Sequence, residues 1–357
     1  MPKESRCLKV PKSLGEEALG LANKLELTDK SMQIQKDETG FLCIPLNCEP
    51  DQKELALFKT QVPKFELDTR VFSEKKPPEK TLAQILANEL PPHLLVSLPR
   101  ALDVVGDIAI IEIPAELEAH KKAVCEAILK THRNVRVVLA KAGAVGGVYR
   151  LRDFDFIAGE HRTDTLYKEY GCSYQVDVAK AYFSPRLSHE HQRVAEQVQE
   201  GETVVDLFAG VGPFAVLITK TRKDAKVYAI DINLDAIDLL KKSARLNRVE
   251  NRVFPIVGDA RQVVNERLFG VADRVIMNLP ETASEFIDVA CQAVKPSGGT
   301  VHFYGFIKLP ETLEDLERRF SESVEKSGRK VVAFQYAKTV RNTAPYEYQA
   351  VLDAEIR

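Results

Sequence analysis

The residues best suited to chemistry form a glycine-rich turn in the C-terminal half of the chain. An apolar stretch ends at Asp206, and the turn that follows reads Leu207-Phe208-Ala209-Gly210-Val211-Gly212-Pro213-Phe214. Glycine is needed where a ligand approaches the backbone closely, because a Cβ atom would block it. In a parallel sheet such a turn lies at the carboxyl edge of the strands, where ligands bind. We expect Ala209, Gly210 and Gly212 to line the site and Asp206 to accept from the ammonium group of an amino acid.

Two more carboxylates follow strand-like stretches further along the chain. Asp231 comes 21 residues after Gly210, a position from which an acidic side chain can bind both hydroxyls of a ribose. Asp259 follows the next predicted strand, where a carboxylate and a backbone N–H can bind the edge of an adenine. Ile232 and Ala260, the adjacent residues, are expected to contact the same ligand. These positions together predict a cofactor that contains adenosine.

The glycine turn alone does not separate two such cofactors. Gly210-x-Gly212-x-x-Ala215 also satisfies the dinucleotide fingerprint of NAD-binding proteins. S-adenosylmethionine is favoured because Asp206 would repel a pyrophosphate, and because Pro213 and Phe214 suit packing over an adenosine. It is also favoured by the end of the fourth predicted strand, which is a motif that methyltransferases of amino and imino nitrogens place at the catalytic edge: Asn278-Leu279-Pro280.

Strand and helix patterns alternate from about residue 202, which predicts a parallel sheet with helices on both faces. Helices are predicted at Leu234–Leu246, Ala283–Val294 and near Glu311–Lys326. Strands are predicted at Thr203–Leu207, Lys226–Ile230, Val253–Val257, Ala272–Met277 and Thr300–Tyr304, and two late strands at Val331–Tyr336 and Glu347–Asp353. The late pair is expected of a class I methyltransferase. The predicted fold is therefore α/β, a Rossmann-like domain with a mainly parallel seven-stranded sheet and a C-terminal antiparallel strand.

Two smaller α/β domains are predicted to precede that domain. Residues 1–72 include a predicted helix at Leu14–Leu25, and residues 73–80 are charged and contain Pro77-Pro78, as linkers do. Residues 81–170 form a middle domain with a strand at Ile108–Ile113, a helix over Ala115–Thr131 and a strand at Val148–Arg152. Residues 171–357 form the ligand-binding domain.

Composition restricts the class of protein. The chain has 357 residues, of which 45% are hydrophobic and 29% are charged, and no apolar run is long enough for a membrane span. The N-terminus does not resemble a secretory signal. The six cysteines are scattered, so we predict no metal site and no disulfide framework, and we expect a reducing cytoplasm. The net charge of −2 lacks the basic excess that many nucleic-acid-binding proteins show.

A longer motif precedes the glycine turn and makes the sequence more specific: Val176-Asp177-Val178-Ala179-Lys180-Ala181-Tyr182-Phe183-Ser184-Pro185-Arg186-Leu187-Ser188-His189-Glu190. With Asp206–Phe214 and Asn278-Leu279-Pro280, it resembles the archaeal and eukaryotic tRNA (guanine-N1)-methyltransferases that modify position 37, particularly the archaeal b type. The resemblance covers essentially the whole chain, including Asp103–Asp107. It implies S-adenosylmethionine as cofactor, tRNA as partner, a monomer, and an N-terminal domain that binds the tRNA elbow.

The resemblance implies methyl transfer to N1 of guanosine 37, beside the anticodon. N1 carries a proton, so a base must remove it before the nitrogen can attack the methyl group. The family places that base at Glu190. Charge then builds on O6, and the family assigns its stabilisation to Arg150. Asn278 and the carbonyl of Pro280 would hold the edge of the purine.

Other positions are assigned by the same resemblance. Tyr182 and Arg186 would order the substrate loop or bind the anticodon region. His191 occupies a position at which archaeal relatives contact the cofactor through arginine, and Glu281 stands where lysine is common. The target base must be splayed out of the anticodon stack to reach this pocket.

Several alternatives stay open from the residues alone. Glu190 and Arg186 are four apart and could be a surface helical pair. Arg150 and Arg152 would share one face of a strand, so strand geometry does not choose between them. The chain could instead transfer the aminocarboxypropyl group of the same cofactor in the wybutosine pathway. Less compatible with the motifs are an NAD-dependent oxidoreductase and a non-catalytic RNA-binding protein.

Overall fold

The computed structural model describes residues 2–37, 39–75, 81–99, 101–143 and 146–357. The chain divides into two compact units, Met1–Glu79 and Lys80–Arg357. Each unit buries apolar cores of its own. The predicted linker lies largely outside the described residues, and position 170 falls inside the second unit.

The first unit consists of an antiparallel sheet and two helices. Its elements are β1 (Lys3–Pro11), α1 (Gly15–Lys24), β2 (Gln35–Lys36), β3 (Phe41–Pro45), α2 (Gln52–Gln61) and β4 (Glu66–Phe72). The strand order is β2-β3-β1-β4, so β1, which the sequence did not predict, is an inner strand. Helix α2 starts at a capping box in which Asp51 and Glu54 exchange hydrogen bonds.

The second unit begins with a four-stranded sheet covered by α5. Its elements are α3 (Leu82–Leu86), α4 (Pro92–Val96), β5 (Asp103–Val105), β6 (Ile108–Ile111), α5 (Lys121–Thr131), β7 (Val137–Lys141) and β8 (Phe154–Gly159). The strands are ordered β5-β6-β7-β8, and only β6 and β7 run parallel among the described strands of this sheet. The predicted helix over Ala115–Thr131 is a 3-10 helix up to His120 and α-helical from Lys121.

The predicted strand at Val148–Arg152 is wrong. The chain turns there, with an isolated bridge between Gly146 and Leu151, and Arg150 has a φ of 56°. Gly147, at a φ of 69°, permits the tight reversal because it has no Cβ. Arg150 and Arg152 therefore do not share the face of a strand.

A hairpin and a helix lead from this sheet to the larger one. They are β9 (Asp164–Glu169), β10 (Cys172–Asp177) and α6 (Ser188–Gln197). The hairpin packs on the core of the larger sheet, where Tyr174 is fully buried. The loop between β10 and α6 contains two of the predicted substrate residues, Tyr182 and Arg186.

The larger sheet has the order β13-β12-β11-β14-β15-β17-β16. Its elements are β11 (Thr203–Asp206), α7 (Pro213–Thr221), β12 (Lys226–Asp231), α8 (Leu234–Asn247), β13 (Val253–Val257), α9 (Ala260–Val263), β14 (Arg274–Met277), α10 (Ile287–Ala293), β15 (Gly299–Lys308), α11 (Leu313–Lys326), β16 (Val331–Ala344) and β17 (Glu347–Ile356). The first five strands in that order are parallel, and β17 is antiparallel to both neighbours. This arrangement confirms the predicted class I methyltransferase fold.

Candidate active site

The glycine turn joins the end of β11 to the start of α7. Gly210 and Gly212 have φ angles of 54° and 84°, which residues with a Cβ rarely adopt. A Cβ on Gly212 would also lie 2.7 Å from Cγ of Leu240 on α8. Pro213 is the first residue of α7, where its missing N–H costs no hydrogen bond. The turn is thus held tight at the carboxyl edge of the sheet.

Asp231, at the end of the neighbouring strand β12, fixes this turn. One carboxylate oxygen accepts the backbone N–H of Gly210 at 2.7 Å, and the other accepts the N–H of Asn233 at 2.9 Å. Burial raises the pKa of its carboxyl. Ile232, the next residue, is 43% exposed and borders the same edge. A ligand that reaches Asp231 would therefore also meet the backbone of Gly210.

Asp206 is a fully buried carboxylate with an unused oxygen. Its Oδ1 accepts the N–H of Phe208 at 3.3 Å, while its Oδ2 has no hydrogen-bond partner among the described residues. Burial, with a contribution from the charge of Asp231, raises the pKa of Asp206 to about 7. A buried carboxylate without a partner is costly, so this position suits a cationic ligand group. The ammonium group of S-adenosylmethionine fits that requirement.

Asn278 follows β14, the strand on the other side of β11. Asp206 is paired with Ile276, so Asn278 lies two residues beyond that pair at the same sheet edge. Its Oδ1 is buried and has no partner in the part of the chain that the structure describes. Pro280 is partly exposed beside it. Two neighbouring strands therefore end in polar groups that lack hydrogen-bond partners among the described residues, and a ligand could supply those partners.

Asp259 caps a helix in the structure, whereas the sequence predicted only a ligand-binding role for it. Its Oδ1 accepts the N–H groups of Arg261 at 2.8 Å and Gln262 at 3.4 Å, so it caps the N-terminus of α9. Ala260 is buried behind it at 5% exposure. Contact of either residue with an adenine stays a prediction.

Glu190 lies in the first turn of α6 and is only 4% exposed. Its Oε2 accepts the hydroxyl of Tyr304 at 2.9 Å and Nε of Arg193 at 3.0 Å. Tyr304 packs against Phe214 of the glycine turn, with ring centroids 6.1 Å apart. A surface pair between Glu190 and Arg186 is not formed, because Arg186 donates instead to Asp103 at 2.6 Å. Glu190 is thus a buried carboxylate that is held, through Tyr304, close to the glycine turn.

His191 is only 2% exposed. Its Nδ1 is 2.7 Å from Oε1 of Glu169 on β9, and its ring packs edge-on against Phe214 at 4.7 Å. It therefore packs against the start of α7. A direct contact with the cofactor stays a prediction.

The predicted substrate residues line one cavity of about 230 Å³. It lies between the four-stranded sheet of the second unit, the loop before α6 and the end of β16. Five cationic side chains line it beside Tyr182 and a single acid, Asp103: Lys141, Arg150, Arg152, Arg186 and Arg341. Such a lining suits an anionic substrate such as a nucleic-acid backbone.

Arg341 lines the same cavity, although no sequence motif points to it. Its Nε donates to Gln349 at 2.8 Å, and its terminal nitrogens reach Ser184 at 3.0 Å and Tyr182 at 3.4 Å. It stands near the end of β16, which the sequence predicted to end at Tyr336. Only the true length of that strand brings Arg341 to the cavity.

Arg150 reaches the Asn278-Leu279-Pro280 segment through an ion pair with Glu281. Burial lowers the pKa of Arg150, although its ordinary value is so high that the side chain stays charged. The side chain of Glu281 is half exposed. The structure therefore joins the predicted O6 donor to the predicted purine-binding segment.

Comparison with known proteins gives three matches along the chain. Residues 165–332 match the TRM5/TYW2 methyltransferase domain, residues 82–163 the TYW2 N-terminal domain, and residues 7–54 the tRNA methyltransferase 5 N-terminal domain. The tRNA (guanine(37)-N(1))-methyltransferase Trm5b of Pyrococcus abyssi is 37% identical over 356 residues, which is 98% of each chain.

Solved structures agree with these matches. The crystal structure of Trm5b from Pyrococcus abyssi superimposes with a TM-score of 0.73 at 36% identity and covers 99% of each chain. A complex of aTrm5 with tRNALeu gives a TM-score of 0.69 at 34% identity, over 98% of this chain and 99% of that one. No helix among the described residues is both long and apolar enough to cross a membrane.

Proposed function

The chain belongs to the TRM5/TYW2 family of tRNA methyltransferases, and from that membership we propose that it methylates N1 of guanosine 37 in tRNA. The observation that carries this proposal is similarity to Trm5b along 98% of both chains. The match of residues 7–54 to the tRNA methyltransferase 5 N-terminal domain supports it over aminocarboxypropyl transfer.

S-adenosylmethionine is the cofactor, and the residues at the sheet edge fit it. When bound, it supplies an electrophilic methyl group whose bond to sulfur breaks with both electrons passing to sulfur. The carboxylate of Asp206 would accept hydrogen bonds from its ammonium group, and the carboxylate of Asp231 would accept hydrogen bonds from its ribose hydroxyls. Asp259, Ala260 and Ile232 would border the adenine, and Ala209, Gly210 and Gly212 would let it approach the backbone. The unpartnered Oδ2 of Asp206 supports this placement.

Glu190 would act as the general base on guanine N1. Its Oε2 is occupied by Tyr304 and Arg193, whereas its Oε1 accepts no hydrogen bond from the described residues. Oε1 is therefore the oxygen that can take the N1 proton. That transfer leaves an electron pair on N1 for the new bond to the methyl carbon.

The remaining site residues would hold the guanine and its strand. Arg150 would stabilise the negative charge that develops on O6. Asn278, with its unpartnered Oδ1, and the carbonyl of Pro280 would accept from the N–H groups of the purine edge. Tyr182 and Arg186 line the cationic cavity and would bind the anticodon loop.

The two compact units would divide the work on tRNA. Residues 1–72 would bind the tRNA elbow, residues 81–170 would contact the anticodon arm, and residues 171–357 would carry the reaction. We also propose that the enzyme acts as a monomer in the cytoplasm, as the resemblance to its family implies.

Two tRNA transcripts that differ only at position 37 test the function. We expect methylation of the transcript with guanosine and none of the transcript with adenosine. Mass spectrometry of the product separates a methyl adduct from the heavier aminocarboxypropyl adduct. Equal modification of both transcripts, or the heavier adduct, would reject the proposal.

A further inference from the structure

A connected series of buried charged side chains extends from Glu190 to the larger sheet. Arg193, one turn after Glu190 on α6, donates to Glu190 and, through its other nitrogens, to Asp353 on β17. Asp353 also pairs with Nδ1 of His302 on β15 at 2.8 Å and accepts from Gln197 at 3.0 Å. The side chains of Asp353 and His302 are fully buried, and that of Arg193 is 11% exposed.

We propose that Arg193, Tyr304 and Asp353 are positioning residues for the general base: Arg193 and Tyr304 hold Oε2 of Glu190 so that Oε1 faces the substrate, and Asp353 shares the charge of Arg193. This inference rests on the proposed function, because it gives Glu190 the role of base. It goes beyond that function by identifying what sets the orientation and strength of the base.

The geometry supports orientation first. Tyr304 is fully buried and approaches from β15, while Arg193 approaches along α6, so the two donors meet one oxygen from different elements. Arg193 is itself fixed by Asp353 and by the ring of Tyr336, whose centroid is 4.4 Å from the guanidinium. A carboxylate held by two fixed donors loses little entropy when it meets its substrate.

The charges around Glu190 also support a role of these residues in setting its strength as a base. A base paired with a full positive charge is a weak proton acceptor, because the charge stabilises its anion. Asp353 divides the guanidinium between two carboxylates, so Glu190 receives only part of that stabilisation. Burial alone would raise the pKa of Asp353, but His302 and Arg193 hold it well below its ordinary value, so Asp353 stays ionised. His189, the preceding residue, also faces Glu190, with its Nδ1 3.8 Å from Oε1.

The direction in which the pH–rate profile moves tests the proposal. Single-turnover methyl transfer to the guanosine-37 transcript should show an acid limb that reports protonation of Glu190. Arg193→Gln and Tyr304→Phe each remove stabilisation of the anion, so the limb should move to higher pH. Asp353→Asn leaves the charge of Arg193 to Glu190 alone, so the limb should move to lower pH.

Matched controls separate positioning from general damage. Arg252→Gln removes a guanidinium whose hydrogen bonds to the described residues go to the backbone carbonyls of Thr219, Arg222 and Lys223, and should leave the limb in place. S-adenosylmethionine binding by each variant reports folding. Tyr304→Phe deletes one hydroxyl, so it still tests the proposal if removing a buried ion-pair partner prevents folding; we also expect about tenfold slower transfer on its plateau.

Two results would overturn the inference. One is an unmoved limb in Tyr304→Phe, and the other is a shift in the same direction for Arg193→Gln and Asp353→Asn. These failures differ from failure of the proposed function, which would appear as no methylation of the guanosine-37 transcript by the unmodified enzyme.

Discussion

Arg150 and Glu281 form an ion pair although 131 residues separate them in the chain. The pair connects the turn after β7 to the segment that begins with Asn278. The ion pair also occupies the guanidinium group of Arg150, which we propose as the donor to O6 of guanine. Glu281 therefore competes with the substrate for Arg150.

Glu281→Gln should increase the single-turnover rate. A half-exposed ion pair is worth at most about 1 kcal/mol, so the increase should stay below about fivefold. Arg150→Met should slow the reaction by about 10²–10³-fold, because it removes a donor to the developing charge. In the Arg150→Met background, Glu281→Gln should have no effect. A slower Glu281→Gln enzyme would instead show that Glu281 orients Arg150.

Glu190→Gln should slow methyl transfer by about 10²–10⁴-fold, since an amide cannot accept the N1 proton. Binding of tRNA and S-adenosylmethionine should be retained, because the substitution keeps the size of the side chain. Glu196→Gln changes an exposed glutamate on the same helix and is the matched control. Full activity of Glu190→Gln on the guanosine-37 transcript would exclude a base at this position.

Affinity for S-adenosylmethionine should depend on pH through Asp206. Its pKa is raised to about 7 by burial, so the free enzyme carries a proton there at lower pH. The cationic ligand needs the ionised form, so affinity should rise as pH approaches 7, by up to about tenfold per pH unit, and then level off. Calorimetry in buffers of different ionisation enthalpy should detect the released proton. Asp206→Asn should bind weakly and without this dependence; an unchanged dependence would point to another group.

The same carboxyl should affect the stability of the free enzyme. Its pKa is higher in the folded chain than the ordinary value of 3.8, so the folded state binds more protons between that value and about 7. Stability should therefore fall as pH rises through this window. Thermal unfolding of Asp206→Asn should lack this component of the pH dependence.

Gly212→Ala should destabilise the protein more than Gly201→Ala. Both glycines have positive φ angles, of 84° and 79°, and an alanine would cost about 1–2 kcal/mol at either. A Cβ at Gly201 would meet no atom within 4 Å, whereas at Gly212 it would meet Leu240. The added clash should cost about 1–3 kcal/mol more and weaken cofactor binding. Equal unfolding temperatures for the two variants would contradict this account.

Deletion of residues 1–72 should weaken tRNA binding and leave S-adenosylmethionine binding unchanged. The second unit keeps its own cores, which contain no residue of the first unit among the described residues. The measurements are the two dissociation constants and the rate at limiting enzyme. An unaffected rate on full-length tRNA would reject elbow binding by this unit.

The sequence predicted the strand ends that meet at the carboxyl edge of the larger sheet because their signals are local. Asp206, Asp231 and Asn278 each follow an apolar run, and parallel strands bring their carboxyl ends together whatever the intervening helices contain. The family resemblance added Glu190, which no local pattern separates from a surface residue.

The missed features depend on contacts between distant residues. Strand β1 is polar in sequence and becomes an inner strand only by pairing with β3 and β4. Arg193 and Asp353 are 160 residues apart, and neither carries a pattern that predicts the other. Val148 and Leu151 are strand-forming residues and therefore favour a strand around Arg150 in the sequence, whereas the glycines before them determine the turn that the backbone forms.

Strand β17 follows every other strand of the larger sheet in the chain, yet it lies between β15 and β16. During synthesis, β11 to β15 leave the ribosome with the edge of β15 uncovered, and that edge stays unpaired until β17 arrives. Asp353 arrives on the same strand. The edge of β15 is therefore exposed to wrong pairing until the sheet closes, and Arg193 gains its contact with Asp353 only at that step.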